Sequence, residues 1–423
     1  MELPPGPRTP AAWQTIAWMA RPAAFMRGLH ERFGDPVTIR TYWTEEPMVL
    51  FSGPDAVRDV FRLDPAIAPA GESWEFLRPF AGAHSILLLD GDEHMKERGL
   101  LQAPFHGERM RAFGPMVAEL ARRELGTWSG RVTTLERMRQ LTLEVILRVV
   151  LGARGEEPAR LRDAVEDTLG SVRSLPRMLA MALVQRDLGP RSPWGRFRIA
   201  VERFDALLLD VIARRRADPS GDDSVLALLL EQHDENGDPP TDRHLRDQLV
   251  ALLVGGHDSS AASLAWAFER LARHPAVHAR LRDGEPDYLD AVVREVLRAR
   301  PALTIAPRRL LAPARIAGHD VPAGVQVAAC LWLALRREDL WPQAAAFRPE
   351  RWLEGPRPNP LSWIPFGGGV RRCTGAPFAE MEMREVLRAA AGMPIRPVRP
   401  EPERARRSML VVVPDRGGEV VVG

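Results

Sequence analysis

The sequence predicts a mainly helical fold that carries small β-sheets. Three observations lead there. From Asp55 onward leucine, alanine and valine recur at helical spacing, with arginine and glutamate on the opposite faces. One stretch, from the N-cap candidates Thr241 and Asp242 to His274-Pro275, keeps that pattern for about 32 residues, roughly 48 Å at 1.5 Å per residue. After Pro301 the pattern gives way to short β-like pieces.

The elements follow in order. Pro4-Pro5-Gly6-Pro7 is a stiff, extended lead-in. Val37 to Thr41 and Met48 to Phe51 read as two short strands around a turn containing Pro47. The helix-rich portion, roughly 55–300, is divided by breakers at Pro65, Pro69-Ala70-Gly71, Gly91, Pro104, Gly107, Pro158, Gly189 to Pro193 and Asp218 to Asp223. Gly237-Asp238-Pro239-Pro240 then leads into the long helix. That helix is long for a globular protein, and its middle holds Gly255-Gly256, which a helix interior normally avoids. Beyond Pro301, Gly324 to Cys330 and Ser408 to Val413 read as strands. A loop-rich stretch runs from about Trp341 to Gly369, and a helix restarts near Cys373 and continues to about Ala391. Without internal repeats or a low-complexity linker, we expect one domain over 1–423, with mixed β and loop portions near the N-terminus and after 300.

The chain has 423 residues and is 45% hydrophobic, enough to bury a large core around an internal cofactor. A net charge of +2 argues against a nucleic-acid binder, which needs a strong basic surplus. Two cysteines, Cys330 and Cys373, cannot build a disulfide framework or a four-cysteine zinc site, so a cytoplasmic protein is expected. Ala11 to Ala20 is apolar but short, and Gln14 and Thr15 interrupt it. No run of ~20 apolar residues exists to span a bilayer, and no signal-peptide pattern is present.

The strongest chemical signal is Phe366-Gly367-Gly368-Gly369-Val370-Arg371-Arg372-Cys373-Thr374-Gly375. Glycines open backbone geometry closed to other residues and let a flat ligand approach. A cysteine at a helix start sits near unpaired amide donors and the positive dipole end, which favours thiolate. By itself this describes a metal ligand, a nucleophile or a buried cysteine beside a turn. The segment resembles the haem-binding signature of the cytochrome P450 family, Phe-x-x-Gly-x-Arg-x-Cys-x-Gly, at Phe366, Gly369, Arg371, Cys373 and Gly375. The resemblance implies a single haem domain whose long helix lies distal to haem b. Cys373 would be the iron ligand, Phe366 would cover its sulfur, Arg371 would meet a propionate, and Gly367 and Gly375 would border the cofactor. Thiolate donation favours O–O cleavage.

Four further motifs match the family's. Glu295-Val296-Leu297-Arg298 matches its Glu-x-x-Arg, and Phe347-Arg348-Pro349-Glu350-Arg351-Trp352 resembles its Phe-x-Pro-x-Arg segment. Alone, each reads as a surface ion pair or a charged loop. The resemblance implies a buried network of Glu295, Arg298 and Arg351, a structural role that suits arginine's rigid fork. Gly255-Gly256-His257-Asp258-Ser259-Ser260 resembles the distal-helix pattern, with Ser259 where threonine is usual. Adjacent glycines and hydroxyls can open the helical ladder to water, and an acid beside an alcohol relays protons, so Asp258 and Ser259 are the catalytic candidates. His94 and Arg98, four apart on one helix face, resemble the propionate-binding His-x-x-x-Arg, and Arg308 resembles another propionate arginine.

The implied reaction puts one atom of O2 into a C–H or C=C bond, by hydroxylation or epoxidation. Only 50 residues follow Cys373 (423 − 373), too few for a reductase, so a separate ferredoxin or flavodoxin with its reductase is expected. Arg372 could help dock such an acidic partner. Family-like substrate regions fall on Trp74 to Leu88, Leu175 to Val201, Leu252 to Gly256, Ala302 to Ala306 and Ser408 to Leu410. The candidate pocket residues there are Trp74, Phe76, Leu77, Ile86, Leu87, Leu252, Gly255, Leu303, Ile305 and Met409. Any one could be plain core. Together they suit an apolar substrate: a fatty acid, a terpenoid or steroid, or a polyketide of secondary metabolism. A monomer is expected. Two rivals are a peroxide-driven haem-thiolate enzyme, against which the Asp258-Ser259 pair argues, and a haem sensor or electron carrier, which needs neither relay nor pocket.

Overall fold

The computed structural model describes residues 2–42, 44, 46–105, 107–153, 155, 157–173, 188–218, 223–233, 236–354 and 358–423. Its first helices are α1 (Ala11–Ala20), α2 (Pro22–Phe33), α3 (Pro54–Arg62), α4 (Arg78–Ala81) and α5 (Gly91–Gln102). Then come α6 (Gly107–Leu125), α7 (Thr134–Leu151), α8 (Glu157–Arg173), α9 (Pro193–Ala217) and α10 (Val225–Leu230). The last are α11 (Asp242–Arg273), α12 (Pro275–Arg282), α13 (Pro286–Ala299), α14 (Leu331–Ala334) and α15 (Ala376–Ala390). The strands are β1 (Val37–Ile39), β2 (Met48–Phe51), β3 (Gly130–Thr133), β4 (Ala306–Arg309), β5 (Ala314–Ile316) and β6 (His319–Val321), then β7 (Gln326–Ala329), β8 (Ile395–Pro397), β9 (Ala405–Ser408), β10 (Val411–Pro414) and β11 (Glu419–Val422). The mainly helical class with small sheets is the one expected.

The chain divides into two compact units. The first comprises Met1–Ser73, Gly114–Leu141 and Ser259–Gly423, and the second Trp74–Phe113 and Thr142–Asp258. All the described strands belong to the first unit. Its main sheet has the order β1-β2-β7-β4, with β2 and β7 parallel and the other pairs antiparallel. Every residue of β2 and β7 is buried, as strands covered on both faces require. Helix α3 closes over this sheet through Val57, Val60 and Phe61, which share a core cluster with Val49, Phe51, Val327 and Ile364.

Two sequence expectations change here. Ser408 to Val413 is a hairpin of β9 and β10, with Ser408 paired to Val411 and Met409 at φ 55° in the turn. No glycine, asparagine or proline marks that turn, so the apolar run reads as continuous. The helix expected to restart near Cys373 begins at Ala376, after a separate 3-10 turn over Gly369–Arg371.

The second unit is helical. Ser192 caps α9 by accepting from the Gly195 amide at 3.0 Å, and Pro193 supplies the preset φ of a first helical position. Helix α9 packs on α8. Buried Leu161, Val165 and Leu169 come from α8, and buried Phe204, Leu208 and Ile212 from α9. Helix α11 starts where the sequence indicates, with Thr241 Oγ1 accepting from the His244 amide at 3.2 Å. It is helical without a break through Gly255-Gly256, so the glycines do not interrupt it. Of the expected substrate region Leu175 to Val201, residues 175–187 lie outside the described residues.

Candidate active site

In the first unit the cysteine loop is closed by its own backbone, the Cys373 amide donating to the Phe366 carbonyl at 3.0 Å. It is also pressed onto α3. A Cβ on Gly368 would lie 2.4 Å from Phe61 Cδ2, and one on Gly369, where φ is 63°, would lie 2.4 Å from the Phe61 carbonyl oxygen. These two glycines therefore serve helix contact, a use the sequence reading did not assign them. The Cβ positions of Gly367 and Gly375 meet nothing within 4 Å, which leaves open space beside the loop. Into that setting Cys373 presents an exposed thiol, whereas Cys330 is fully buried and its thiol is pushed up to about 12 by burial. Arg371 ends the 3-10 turn, half-buried, and Arg372 is exposed with its guanidinium 6.0 Å from the Phe366 ring centroid.

Phe366 opens a ladder of rings. It meets Trp363 edge-on at 6.1 Å, Trp363 meets Trp352 at 5.6 Å, and Trp352 meets Trp341 at 5.3 Å. The ladder leads to the charged network of α13. Glu295 and Arg298 are wholly buried and form a bidentate pair, with Arg298 Nε and Nη2 at 2.9 and 2.8 Å from the two carboxylate oxygens. Arg298 also donates to the carbonyls of Leu335, Ala344 and Ala346 at 3.0, 3.0 and 3.1 Å. Glu295 accepts in addition from Arg351 Nε at 3.2 Å, Trp352 Nε1 at 3.1 Å and the Arg348 amide at 2.9 Å. Two buried charges are tolerable only when both are this fully satisfied.

Arg308, on β4, is buried and donates through Nη1 to the Pro307 carbonyl at 2.7 Å. Leu303 packs against two core clusters, Ile305 is buried, and Met409 occupies the hairpin turn. Ser259 is half-buried on α11, and the next residue, Ser260, is buried. On α15 Glu382 is 1% exposed, and neither carboxylate oxygen has a well-formed hydrogen bond among the described residues. Burial pushes its carboxyl up to about 8, against a weaker pull from the Ser260 hydroxyl.

In the second unit α5 carries His94, buried, and Arg98, half-buried, one turn apart. Asp258 is half-buried near the middle of α11, and its carboxylate lies 3.5 Å from the Arg173 guanidinium. Arg173 also pairs with Glu166 and reaches His257 Nε2 at 3.1 Å. The His257 ring is wholly buried. Its Nδ1 lies 3.1 Å from Thr142 Oγ1, which also donates to the His257 carbonyl at 3.1 Å, and its Nε2 lies 3.5 Å from Glu166. Burial would raise the Glu166 carboxyl, but the hydrogen bond from His257 and the Arg173 charge outweigh it and hold the group at about 2. Sequence reasoning missed Arg173, Glu166 and Thr142, since nothing in α7 or α8 marks them. The ring of His257 lay within the motif and received no role.

Of the proposed pocket residues in this unit, Leu77 and Ile86 are buried, and Trp74, Leu87 and Leu252 are half-buried. Gly255 is exposed on α11. Phe76 is 56% exposed, its ring 6.0 Å from that of Trp74.

The sequence model of the family described as Cytochrome P450 matches residues 4–389. The chain is 37% identical to cytochrome P450 135B1 of Mycobacterium tuberculosis over 438 residues, covering 100% of this chain and 92% of that one. It is 35% identical to cytochrome P450 138 of Mycobacterium bovis, covering 100% and 96%. Among solved structures, the retinoic acid-bound cyanobacterial CYP120A1 superposes with a TM-score of 0.85 over 100% of this chain and 99% of that one, at 22% sequence identity.

Proposed function

The chain belongs to the cytochrome P450 family of haem monooxygenases, and on that premise we propose that it oxidises an apolar small molecule with O2, drawing electrons from a separate ferredoxin or flavodoxin and its reductase. The observation that carries the reading is the exposed thiol of Cys373 on a loop closed by hydrogen bonds and pressed onto α3. Among the described residues no group of three histidine, cysteine, aspartate or glutamate side chains could hold a metal ion. A lone thiolate suits an iron whose other ligands come from a macrocycle. The open space at Gly367 and Gly375 suits a flat group beside that thiolate. Arg308 and Arg371 have the charge that propionates need, and α5 offers His94 and Arg98 for the same chemistry. Haem b, bound through a thiolate, supplies the oxygen chemistry.

The residues of the chain supply position and protons. Cys373 is the ligand, and Phe366 shields its sulfur. The Glu295–Arg298–Arg351 network holds the chain that precedes the loop, and the ring ladder from Trp341 to Phe366 joins the two. Ser259 Oγ holds a proton on the distal helix, and the Asp258 carboxylate replenishes it. Arg173 fixes the rotamer of Asp258. Serine keeps threonine's hydroxyl but loses the methyl that restrains χ1.

The substrate class proposed is a fatty acid, a terpenoid or steroid, or a polyketide, supported by the apolar character of Leu77, Ile86, Leu303 and Ile305. We take the protein to act as a cytoplasmic monomer. No helix among the described residues is long and apolar enough to cross a membrane. The test is the carbon monoxide difference spectrum of the reduced protein, wild type against Cys373→Ser. The thiolate-type band should be present in the first and lost in the second. Its retention in the variant would sink the ligand assignment. A spin-state titration against those substrate classes then identifies the one that displaces water from iron.

A further inference from the structure

The loop between α4 and α5 is tied to α11 along its backbone. Two consecutive side chains, Asp247 and Gln248, make the ties, and both are buried, at 1% and 0% exposure. One carboxylate oxygen of Asp247 accepts from the His84 amide at 3.0 Å and lies 3.0 Å from His84 Nδ1. Gln248 donates through Nε2 to the His84 carbonyl at 2.6 Å, and its Oε1 accepts from the Ile86 amide at 3.1 Å. The second N–H of Gln248 reaches Glu97 on α5 at 2.9 Å, and Glu97 lies 3.2 Å from His244 Nε2, one turn back along α11. Asp247 is itself held by Arg246 Nη1 at 3.0 Å, and Arg246 is anchored to Asp205 of α9 at 2.6 Å.

The chain leaves no slack at this point. A Cβ on Gly82 would lie 1.9 Å from Asp247 Oδ1, and φ there is 81°, so only glycine lets the loop approach so closely. Three backbone groups of one short segment are therefore satisfied by two side chains of one helix. Buried loop amides and carbonyls are satisfied by the loop's own turns, by water or by side chains, and here consecutive side chains of one helix serve three of them. Here the ties flank Ser85, with one of them on the amide of Ile86, and Leu87 follows directly.

We propose that Asp247 and Gln248 are positioning residues that hold the 82–88 loop in register on α11 and so set the place of Ile86 and Leu87, which determines which substrate shapes the enzyme accepts. The proposal rests on the monooxygenase reading above. Their contacts are with the loop, with Glu97 of α5 and with Arg246, so they act on substrate through the loop. Removing Gln248 takes away an acceptor of the Ile86 amide and a donor to the His84 carbonyl, and that loss lets the loop shift.

The test uses the haem-loaded full chain in two measurements. Amide hydrogen exchange over residues 82–88 should speed up by about ten-fold or more in Gln248→Leu, and by less in Asp247→Asn, which keeps an acceptor for the His84 amide. Binding of a homologous series of n-alkylimidazoles to the ferric iron should depend on chain length in the wild type, and that dependence should flatten several-fold in Gln248→Leu. Faster exchange with an unaltered length dependence would overturn the proposal, leaving the ties a structural role only. Unaltered exchange would overturn it too. If Gln248→Leu does not fold, Asp247→Asn carries the same two readouts. A wild type without the thiolate-type carbonyl band would instead sink the monooxygenase reading, and the exchange result would still report on the ties.

Discussion

Arg173, at the end of α8, lies 3.5 Å from Asp258, near the middle of α11, and both side chains are only 13% exposed. The same guanidinium serves Glu166 and His257. The acid proposed to feed protons to Ser259 is thus held by a cation from another helix, with a buried histidine beside it.

Arg173→Ala should remove one hold on the Asp258 side chain without touching the cysteine loop. We expect turnover to fall roughly ten-fold, less than the ~10²–10⁴ lost with a general acid itself. The solvent isotope effect should rise while the carbonyl band is unchanged. An unchanged isotope effect would remove Arg173 from proton delivery.

Ser259→Ala should release more hydrogen peroxide per electron consumed, because the proton held at Oγ is gone. Ser259→Thr restores the hydroxyl with a stiffer χ1 and should couple at least as well as the wild type. Equal peroxide yields from all three proteins would show that Ser259 holds no catalytic proton.

Arg298→Lys should destabilise the protein by about 3–5 kcal/mol, the usual cost of breaking a buried, hydrogen-bonded pair. A lysine cannot meet both Glu295 oxygens and the carbonyls of Leu335, Ala344 and Ala346 together. Thermal unfolding and haem retention are the readouts. Trp352→Leu removes one Glu295 donor and a rung of the ring ladder, and should show a smaller loss in the same direction.

Glu382 gives a pH dependence with a definite sign. Its carboxyl is raised by burial from 4.5 to about 8, so between those values the folded protein keeps a proton that the unfolded chain has lost. Stability therefore falls as pH rises through that window, by at most about 1.4 kcal/mol per pH unit from this group. Glu382→Gln stays neutral at every pH and should flatten the fall in melting temperature between about pH 5 and about pH 8. A variant curve parallel to that of the wild type would mean that Glu382 is charged in the folded state.

Much of the architecture is local and so was legible in the residues. Helix α11 runs from Asp242 to Arg273 because its apolar spacing and its Thr241 cap are both written within the segment. The β9–β10 turn was not legible, because Met409 adopts a positive φ without any residue type that advertises one. The 3-10 turn before Cys373 was not legible either: its glycines lie against Phe61, far away in the chain.

The sequence by itself determined the family and the motifs that carry Cys373, Asp258 and Ser259, because motif chemistry depends on residue types at short, fixed spacing. Only the tertiary structure decided that Glu295 also accepts from Trp352, that Arg173 meets Asp258, and that Asp247 and Gln248 tie down the loop bearing Ile86. Those contacts join residues dozens of positions apart. Their partners are chosen by which helices pack together and by the cost of leaving a buried polar group alone, and no short stretch of sequence carries that information.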